Sequence, residues 1–256
     1  MTAVLRPGLV GEELVDLTRR LGEPARDLVI LAEGNTSEMI DDDRIVVKAS
    51  GSSMRDAQPE AFVCVDLAPL VELLRDPDAD QARLTAELTA GEADGREVRA
   101  SIETLVHVAV RAVAPVRYVA HTHPTDVVAL LSSTNAEQAF AEPVYTDELM
   151  TLGRPLYVPY AVPGMNLGRV FLERLEAYQH AHGELPSLVL LGNHGIVAIS
   201  ETAAGAESIS LMAVKSARVR SGAHAFGGLA PLTGTEHYFD RPDFASRRAE
   251  LAGKGE

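Results

Sequence analysis

The sequence predicts an α/β fold, and three observations support this class. Short apolar runs rich in β-branched residues, such as those at 45–48 and 62–65, alternate with stretches whose apolar residues recur at helical spacing. The 256 residues are 46% hydrophobic and 23% charged, a composition sufficient for one large core. Histidines lie at or just beyond the ends of two of the apolar runs, and strand ends are where α/β proteins place their chemistry. We therefore expect one domain.

The N-terminal half opens with a predicted helix that ends at Gly22, and its apolar face comprises Val10, Leu14, Leu17 and Leu21. Strands are predicted at 28–31, 45–48 and 62–65, separated by loops rich in Gly, Asn, Ser and Asp. A helix is expected from residue 66 to about 74. Residues 76–99 carry weaker signals.

The C-terminal half continues the alternation. Ser101 is predicted to cap a helix that stops before Pro115, and a short helix is expected after Pro124. Further elements are predicted in the following order: a strand at 157–159, a helix at 167–180, strands at 188–191 and 196–199, and a long helix at 201–220. The tail from residue 223 contains several glycines and prolines, so it is expected to be irregular, either mobile or packed on a neighbouring subunit.

Charge and cysteine content exclude several classes of protein. A net charge of −14 argues against a sequence-independent nucleic-acid binder and against docking on anionic membranes. The single cysteine, Cys64, lies in an apolar run and is predicted to be a small buried hydrophobe, so no disulfide framework forms within the chain. The N-terminal residues lack a signal-peptide pattern, and no window approaches 18 uninterrupted apolar residues. A reducing cytoplasm is the expected location.

Three histidines form the most informative pattern. In the triplet His121-Thr122-His123, side chains two apart on an extended segment point to the same side. A third histidine, His194, lies between Asn193 and Gly195 after another apolar run. Three imidazoles leave one coordination position open, as catalytic rather than structural zinc sites do. A second pair, His180 and His182, ends an amphipathic stretch just before Gly183, where histidines commonly cap a helix, and is not expected to bind metal.

Two short loops and one glutamate complete the set of candidates. Residues 34–37 and 49–53 are rich in Gly, Ser, Asn and Thr and could present N–H groups and hydroxyls to an anion, with Lys48 adding charge, although such turns are common. Glu103 lies in the first turn of a predicted helix, where the helix macrodipole favours a carboxylate. A catalytic metal site also needs a base to move protons, and Glu103 is the candidate for that role. His107 lies four residues further on the same face, where it either hydrogen-bonds Glu103 or only packs.

Five segments, taken in order, resemble the class II aldolase/adducin head family, which includes fuculose-phosphate and rhamnulose-phosphate aldolases and ribulose-phosphate 4-epimerase. They are Gly-Asn-Thr-Ser at 34–37, Lys-Ala-Ser-Gly at 48–51, Ser-Ile-Glu at 101–103, His-Thr-His at 121–123 and Asn-His-Gly at 193–195. The resemblance covers about residues 8–220 of a single domain, with 223–256 as its tail. It implies a three-layer α/β/α fold around a mainly antiparallel sheet, a zinc or similar ion, and a homotetramer with active sites between subunits.

The resemblance also implies roles for individual residues. It makes His121, His123 and His194 the metal ligands and Glu103 the catalytic acid/base. It implies that the substrate phosphate is held by Asn35, Ser50, Gly51 and Ser101. Tyr145 resembles a tyrosine that reaches the site of an adjacent subunit and protonates or orients the aldehyde.

One departure bears on the substrate. Fuculose-phosphate aldolases carry a second serine directly before the glutamate, where this chain has Ile102, so an unphosphorylated hydroxy-carbonyl or sugar acid stays open as a substrate. We expect a metal-dependent aldolase, a lyase of carbohydrate metabolism that cleaves a ketose phosphate or related sugar derivative through a metal-stabilised enediolate. Zn²⁺ is the expected ion, with Co²⁺ or Mn²⁺ as substitutes. A 4-epimerase, a decarboxylase of a 3-oxo sugar-acid phosphate and a non-catalytic adducin-like interaction module are the alternatives.

Overall fold

A computed structural model describes residues 2–93, 95–235 and 237–251 of the chain. Its strands are β1 (Ala3–Val4), β2 (Asn35–Asp41), β3 (Arg44–Lys48), β4 (Phe62–Asp66), β5 (Thr89–Ala93), β6 (Arg96–Arg99), β7 (Tyr118–Thr122), β8 (Leu156–Val158), β9 (Leu188–Leu191) and β10 (Gly195–Ser200). Its helices are α1 (Glu12–Leu21), α2 (Leu67–Arg75), α3 (Gln81–Leu88), α4 (Thr104–Val113), α5 (Thr125–Leu131), α6 (Thr146–Leu152), α7 (Met165–His182), α8 (Ala203–Ala225) and α9 (Pro242–Leu251).

One eight-stranded sheet organises the described part of the chain. Its strand order is β1-β4-β3-β2-β7-β10-β9-β8, and a separate hairpin pairs β5 with β6. Neighbours in the large sheet run antiparallel except β8 and β9, which are parallel. The middle of the sheet is therefore formed by β2, β7 and β10, and these strands carry or adjoin the predicted site residues.

Helices cover both faces of the sheet. Alternation along β3 sends Ile45 and Val47 into a core shared with α2, α4 and α7, while Val46 enters a second core shared with α1, α5 and α8. The residues that form the two cores are buried. The expected three-layer α/β/α class with a mainly antiparallel sheet is therefore confirmed.

Several predicted elements differ from those observed. Residues 28–31 are a loop rather than a strand, because Leu31 adopts a left-handed φ of 53° and its side chain is 87% exposed. Conversely, the segment at 34–37, expected as a loop, opens strand β2. Its polar side chains Asn35 and Ser37 are buried because they bond Glu103, the N-cap of α4, and His107 on α4. Helix α4 begins at Thr104 rather than directly after Ser101.

The tail and the weakly predicted segment also contain regular structure. Residues 76–99 form α3 and the β5–β6 hairpin, and α9 lies in the tail for which an irregular structure is expected from sequence. Helix α9 is held by Phe244, which is buried and packs edge-on against Phe239. Among the described residues, every helix is too short or too polar to cross a membrane.

Candidate metal centre

Three histidine side chains converge at the middle of the sheet. His121 belongs to β7, His123 follows that strand by one residue, and His194 lies in the turn between β9 and β10. Their ring centroids are 4.7 to 5.0 Å apart. The two-residue spacing turns His121 and His123 to the same side, and the antiparallel pairing of β10 with β7 brings the turn with His194 beside them. The predicted juxtaposition of the three residues is thus observed.

The neighbours of His194 show why this turn has its sequence. Asn193 adopts a left-handed φ of 53°, a conformation that asparagine tolerates better than most residues. A Cβ atom on Gly195 would lie 2.4 Å from the Thr122 carbonyl oxygen and 2.7 Å from Cδ2 of His123. Glycine therefore lets β10 approach β7 closely enough to bring the three rings together.

Hydrogen bonds orient the imidazoles. Nδ1 of His121 lies 2.8 Å from the Ile196 carbonyl oxygen and donates to it, which turns Nε2 toward the other two rings. This Nε2 is 2.9 Å from Nε2 of His123. Two ring nitrogens meeting at such a distance suit a shared metal ion, whose tetrahedral ligands lie about 3.3 Å apart for bonds of about 2.05 Å.

Glu103 joins the cluster from the helical layer. It occupies the N-cap of α4 and is buried, with Oε1 2.8 Å from Nε2 of His194 and Oε2 3.2 Å from Nε2 of His121. Burial alone would raise the pKa of Glu103, but the charge and hydrogen bond of His121 and the hydrogen bond of His194 outweigh it. They hold the pKa of Glu103 well below its usual range, so the group is a carboxylate at neutral pH.

The four side chains together fit a divalent metal. One ligand atom from each of Glu103, His121, His123 and His194 can be chosen so that all four lie within 4.8 Å of one another. Three imidazole nitrogens and a carboxylate are a donor set suited to zinc and to other first-row divalent metals. The site is largely screened from solvent, which strengthens electrostatic interactions within it.

The predicted phosphate-binding residues fall into two groups. Asn35 and Ser101 are buried beside the cluster, and Nδ2 of Asn35 donates to Oγ of Ser101 at 3.1 Å and to Oε2 of Glu103 at 3.0 Å. Ser50 and Gly51 lie on the exposed loop after β3. Backbone bonds from Ser101 to Lys48 and from Ser50 to Arg99 join that loop to the residues before α4. All four residues therefore lie on adjoining segments.

Tyr145 lies elsewhere in the chain's own fold. Its hydroxyl donates to Sδ of Met212 at 2.9 Å, and Nζ of Lys215 is 5.5 Å from its ring centroid, so it packs on α8. Its predicted role in a neighbouring subunit's site stays a prediction. The pair His180 and His182 is exposed at the end of α7, as expected for a helix cap. It is not part of the metal-type cluster, which is formed by Glu103, His121, His123 and His194.

The sequence leaves two alternatives for His107, a hydrogen bond to Glu103 or packing alone, and the structure shows an indirect connection instead. His107 does not bond Glu103 directly, because Asn35 lies between them and its Oδ1 contacts Nε2 of His107. Arg111, which reaches the same network, is not among the predicted site residues at all. The available signal is the spacing of Glu103, His107 and Arg111, which recur every four residues and so share one helix face.

Comparison with known proteins agrees with this arrangement. The family model described as Class II Aldolase and Adducin N-terminal domain matches residues 12–220. The chain is also 31% identical over 159 residues to a protein of Bacillus subtilis (strain 168) named "Uncharacterized oxidoreductase YuxG". That match covers 61% of this chain and 20% of the relative, so the chain spans about a fifth of that relative's length.

Solved structures share the fold at low identity. The N-terminal class II aldolase domain of a conserved protein from Thermoplasma acidophilum superposes with a TM-score of 0.63 at 19% identity, covering 81% of this chain and 92% of that one. YgbL from Escherichia coli, described as a putative aldolase/epimerase/decarboxylase, superposes with a TM-score of 0.62 at 19% identity, covering 94% of this chain and 96% of that one. L-Fuculose-1-phosphate aldolase from Thermus thermophilus superposes with a TM-score of 0.59 at 18% identity, covering 87% of this chain and 100% of that one. With four-fifths of its residues matched by the family model, this chain belongs to the class II aldolase and adducin N-terminal domain family.

Proposed function

We propose that this protein is a metal-dependent lyase of the aldolase type that cleaves a carbon–carbon bond in a ketose phosphate or a related sugar derivative. The observation that carries the proposal is the buried cluster of Glu103, His121, His123 and His194. Membership of a family that includes aldolases supports it. An adducin-like interaction module would have no need for three histidines and a carboxylate brought within 4.8 Å of one another.

In this proposal His121, His123 and His194 hold the ion. When bound, a divalent ion supplies Lewis-acid stabilisation of the negative charge that develops when the carbon–carbon bond breaks, an effect worth several kcal/mol. Zn²⁺ is the first candidate, with Co²⁺ and Mn²⁺ as substitutes. The hydrogen bond between His121 and the Ile196 carbonyl keeps the coordinating nitrogen turned toward the cluster.

Glu103 acts as the acid/base group. In the condensation direction it takes a proton from the carbon beside the substrate carbonyl, and in the cleavage direction it returns that proton. The lowered pKa of Glu103 keeps it ionised and ready to accept a proton. Asn35 holds one carboxylate oxygen and leaves the other facing His194.

The remaining predicted residues have roles in binding. Asn35, Ser50, Gly51 and Ser101 are proposed to hold the substrate's phosphate, with hydroxyl and N–H groups as donors. Ile102 is partly exposed in this region and contributes no hydroxyl, so phosphate is a preference to be measured. Tyr145 is proposed to complete the site of a neighbouring subunit in a homotetramer, where its hydroxyl orients the aldehyde oxygen or, in the condensation direction, donates a proton to it.

The first test is elemental analysis of the wild type and of His123→Ala after loading with zinc. We expect about one ion per chain in the wild type and loss of the ion in the variant. Metal-loaded protein is then incubated with ketose phosphates, free ketoses and phosphorylated 3-oxo sugar acids. Two fragments identify an aldolase, one isomeric product an epimerase, and carbon dioxide a decarboxylase. A wild type that takes up no metal under any loading condition contradicts the enzyme proposal.

The second test is Glu103→Gln, which keeps the size of the side chain and removes its basicity. We expect turnover to fall by at least about 100-fold, because general acid–base catalysis contributes on that order. Bound metal is expected to remain, since three histidines still ligate it. Full activity of this variant would remove Glu103 from the mechanism.

A further inference from the structure

Five polar residues join strand β2 to helix α4 beneath the metal-type cluster. Asn35 and Ser37 are two apart on the strand, while Glu103, His107 and Arg111 recur every four residues on the helix. Two strand residues span about 6.7 Å and four helical residues about 6 Å, so the two series stay in step. Hydrogen bonds cross between the two elements in series. Arg111 bonds Ser37, and Ser37 bonds His107. His107 then bonds Asn35, and Asn35 bonds Glu103. The series is buried along its whole length.

The direction of these bonds is set by Arg111, which can only donate. Burial lowers the pKa of Arg111 to about 9, which leaves the guanidinium protonated at neutral pH. All five of its N–H groups have acceptors, which are the carbonyl oxygens of Val116, His107, Arg117 and Ser37 and the hydroxyl oxygen of Ser37. The bond from Nη1 to Oγ of Ser37 is 2.8 Å long. The Ser37 oxygen therefore accepts from Arg111 and its own proton is free to point elsewhere.

That proton fixes the tautomer of His107. Oγ of Ser37 lies 2.7 Å from Nδ1 of His107, which among the described residues is the acceptor within reach of this buried hydroxyl proton, so Nδ1 accepts and the ring proton resides on Nε2. Nε2 in turn contacts Oδ1 of Asn35. Burial, reinforced by the charge of Arg111, keeps the pKa of His107 well below its ordinary value, so the ring is neutral.

The orientation of Asn35 then follows. Because its Oδ1 accepts from His107, its Nδ2 faces Oε2 of Glu103 and Oγ of Ser101. With the amide turned over, its carbonyl oxygen would face the carboxylate and repel it. A protonated Nδ1 on His107 would allow that turned arrangement, because Nε2 would become an acceptor.

We propose that His107 is a positioning residue: its neutral Nε2–H tautomer, set by Ser37 and Arg111, locks the Asn35 amide so that it donates to the Glu103 carboxylate. His107 acts through Asn35 and touches neither the cluster's histidines nor the substrate. The effect on turnover rests on the proposed function of Glu103. The tautomer itself does not, so the two proposals are tested by separate measurements.

The tautomer is measured by ¹⁵N NMR of the zinc-loaded 256-residue chain with ring-labelled histidine, and the His107 signals are assigned by their loss in His107→Gln. We expect a neutral ring protonated at Nε2 from about pH 6 to about pH 8. An Nδ1-protonated or a charged ring in that range overturns the proposal, whatever the activity.

Two substitutions test the positioning role. His107→Gln keeps a hydrogen-bond donor for Asn35. His107→Leu keeps an apolar side chain of similar volume but has no donor. We expect kcat to fall about 10- to 100-fold in His107→Leu and to stay within about threefold of wild type in His107→Gln, with one zinc per chain in both. The Asn35 side-chain amide signal should shift in the leucine variant only. Equal kcat values in the two variants, or an unmoved Asn35 signal, overturn the proposal.

Val110→Ala provides the matched control, because Val110 is a buried residue of α4 that faces the hydrophobic core. It is expected to lower the Tm while leaving kcat and the Asn35 signal unchanged. If the wild type proves inactive on every substrate, the proposed function fails, and the tautomer and the Asn35 signal still decide the positioning role.

Discussion

Lys48 is a buried cation that lies beside the site without joining it. It is 1% exposed, and its ammonium donates to the carbonyl oxygens of Ala49 at 3.2 Å and Ser52 at 2.6 Å. These bonds fold the loop that carries Ser50 and Gly51. Burial lowers the pKa of Lys48 from 10.5 to about 8, so its charge is maintained at a cost to stability.

This pKa predicts a pH dependence of stability. Between about pH 8 and 10.5 the unfolded chain keeps the Lys48 proton and the folded chain releases it, so the free energy of unfolding rises with pH. Urea denaturation at pH 7.5 and 9.5 should show the wild type gaining about 2 kcal/mol relative to Lys48→Met. The control Lys215→Met removes an exposed lysine and should leave this pH dependence in place. The same change in unfolding free energy between pH 7.5 and 9.5 in the wild type and in Lys48→Met would contradict the prediction.

At the scale of elements, the β9–β10 hairpin determines the position of the third histidine. Its turn is fixed by backbone bonds from Asn193 to Leu131 and from His194 to Leu191, at 3.0 and 3.1 Å. Gly195 then places β10 against β7. The hairpin is therefore a rigid support for His194.

Gly195→Ala is expected to push β10 away from β7, because the new methyl group would overlap the Thr122 carbonyl. Overpacking of this kind costs about 1–3 kcal/mol of unfolding free energy, and the displaced His194 should weaken zinc binding. Urea denaturation and zinc titration measure both effects. Gly222→Ala is the control, since a Cβ there meets no atom within 4 Å and alanine favours a helix by up to about 1 kcal/mol. Equal stability of the two variants would show that the close approach is not needed.

Apolar pattern and spacing predict most of these elements but not all. Strands β3, β4, β9 and β10 are predictable because their apolar residues are continuous and bounded by turn residues. Strand β2 has the composition of a loop, because Asn35, Thr36 and Ser37 are polar and their burial depends on partners that only the fold supplies. The three histidines can be found from their spacing in the sequence. The role of His107 cannot, because it depends on which atoms donate and accept along a series of hydrogen bonds that only the fold brings together.

At the scale of the whole molecule, the cluster connects two layers. His121, His123 and His194 lie on the sheet, and Glu103 begins a helix packed on one face of it. A ligand that binds only this assembled arrangement stabilises the folded state as a whole.

Metal should therefore raise the melting temperature. At a free zinc concentration about 100 times the Kd, the folded state gains about 2.7 kcal/mol, or roughly 5–10 °C in a chain of this length. Differential scanning calorimetry of chelator-treated and zinc-loaded protein measures the shift. His123→Ala should lose it, and His182→Ala, in the exposed pair on α7, should retain it. A shift that survives in His123→Ala would place the bound metal elsewhere.

The strand order also determines when the site can form during synthesis. Strands β1 to β7 occupy one half of the large sheet, apart from the β5–β6 hairpin, and β8 to β10 form the other half. Until β10 leaves the ribosome, β7 is therefore an open edge that carries His121 with His123 at its end. Unpaired edges recruit other strands, so a nascent or truncated chain ending before residue 195 should be prone to aggregation and to chaperone binding. Zinc uptake would then mark the completion of folding rather than its beginning.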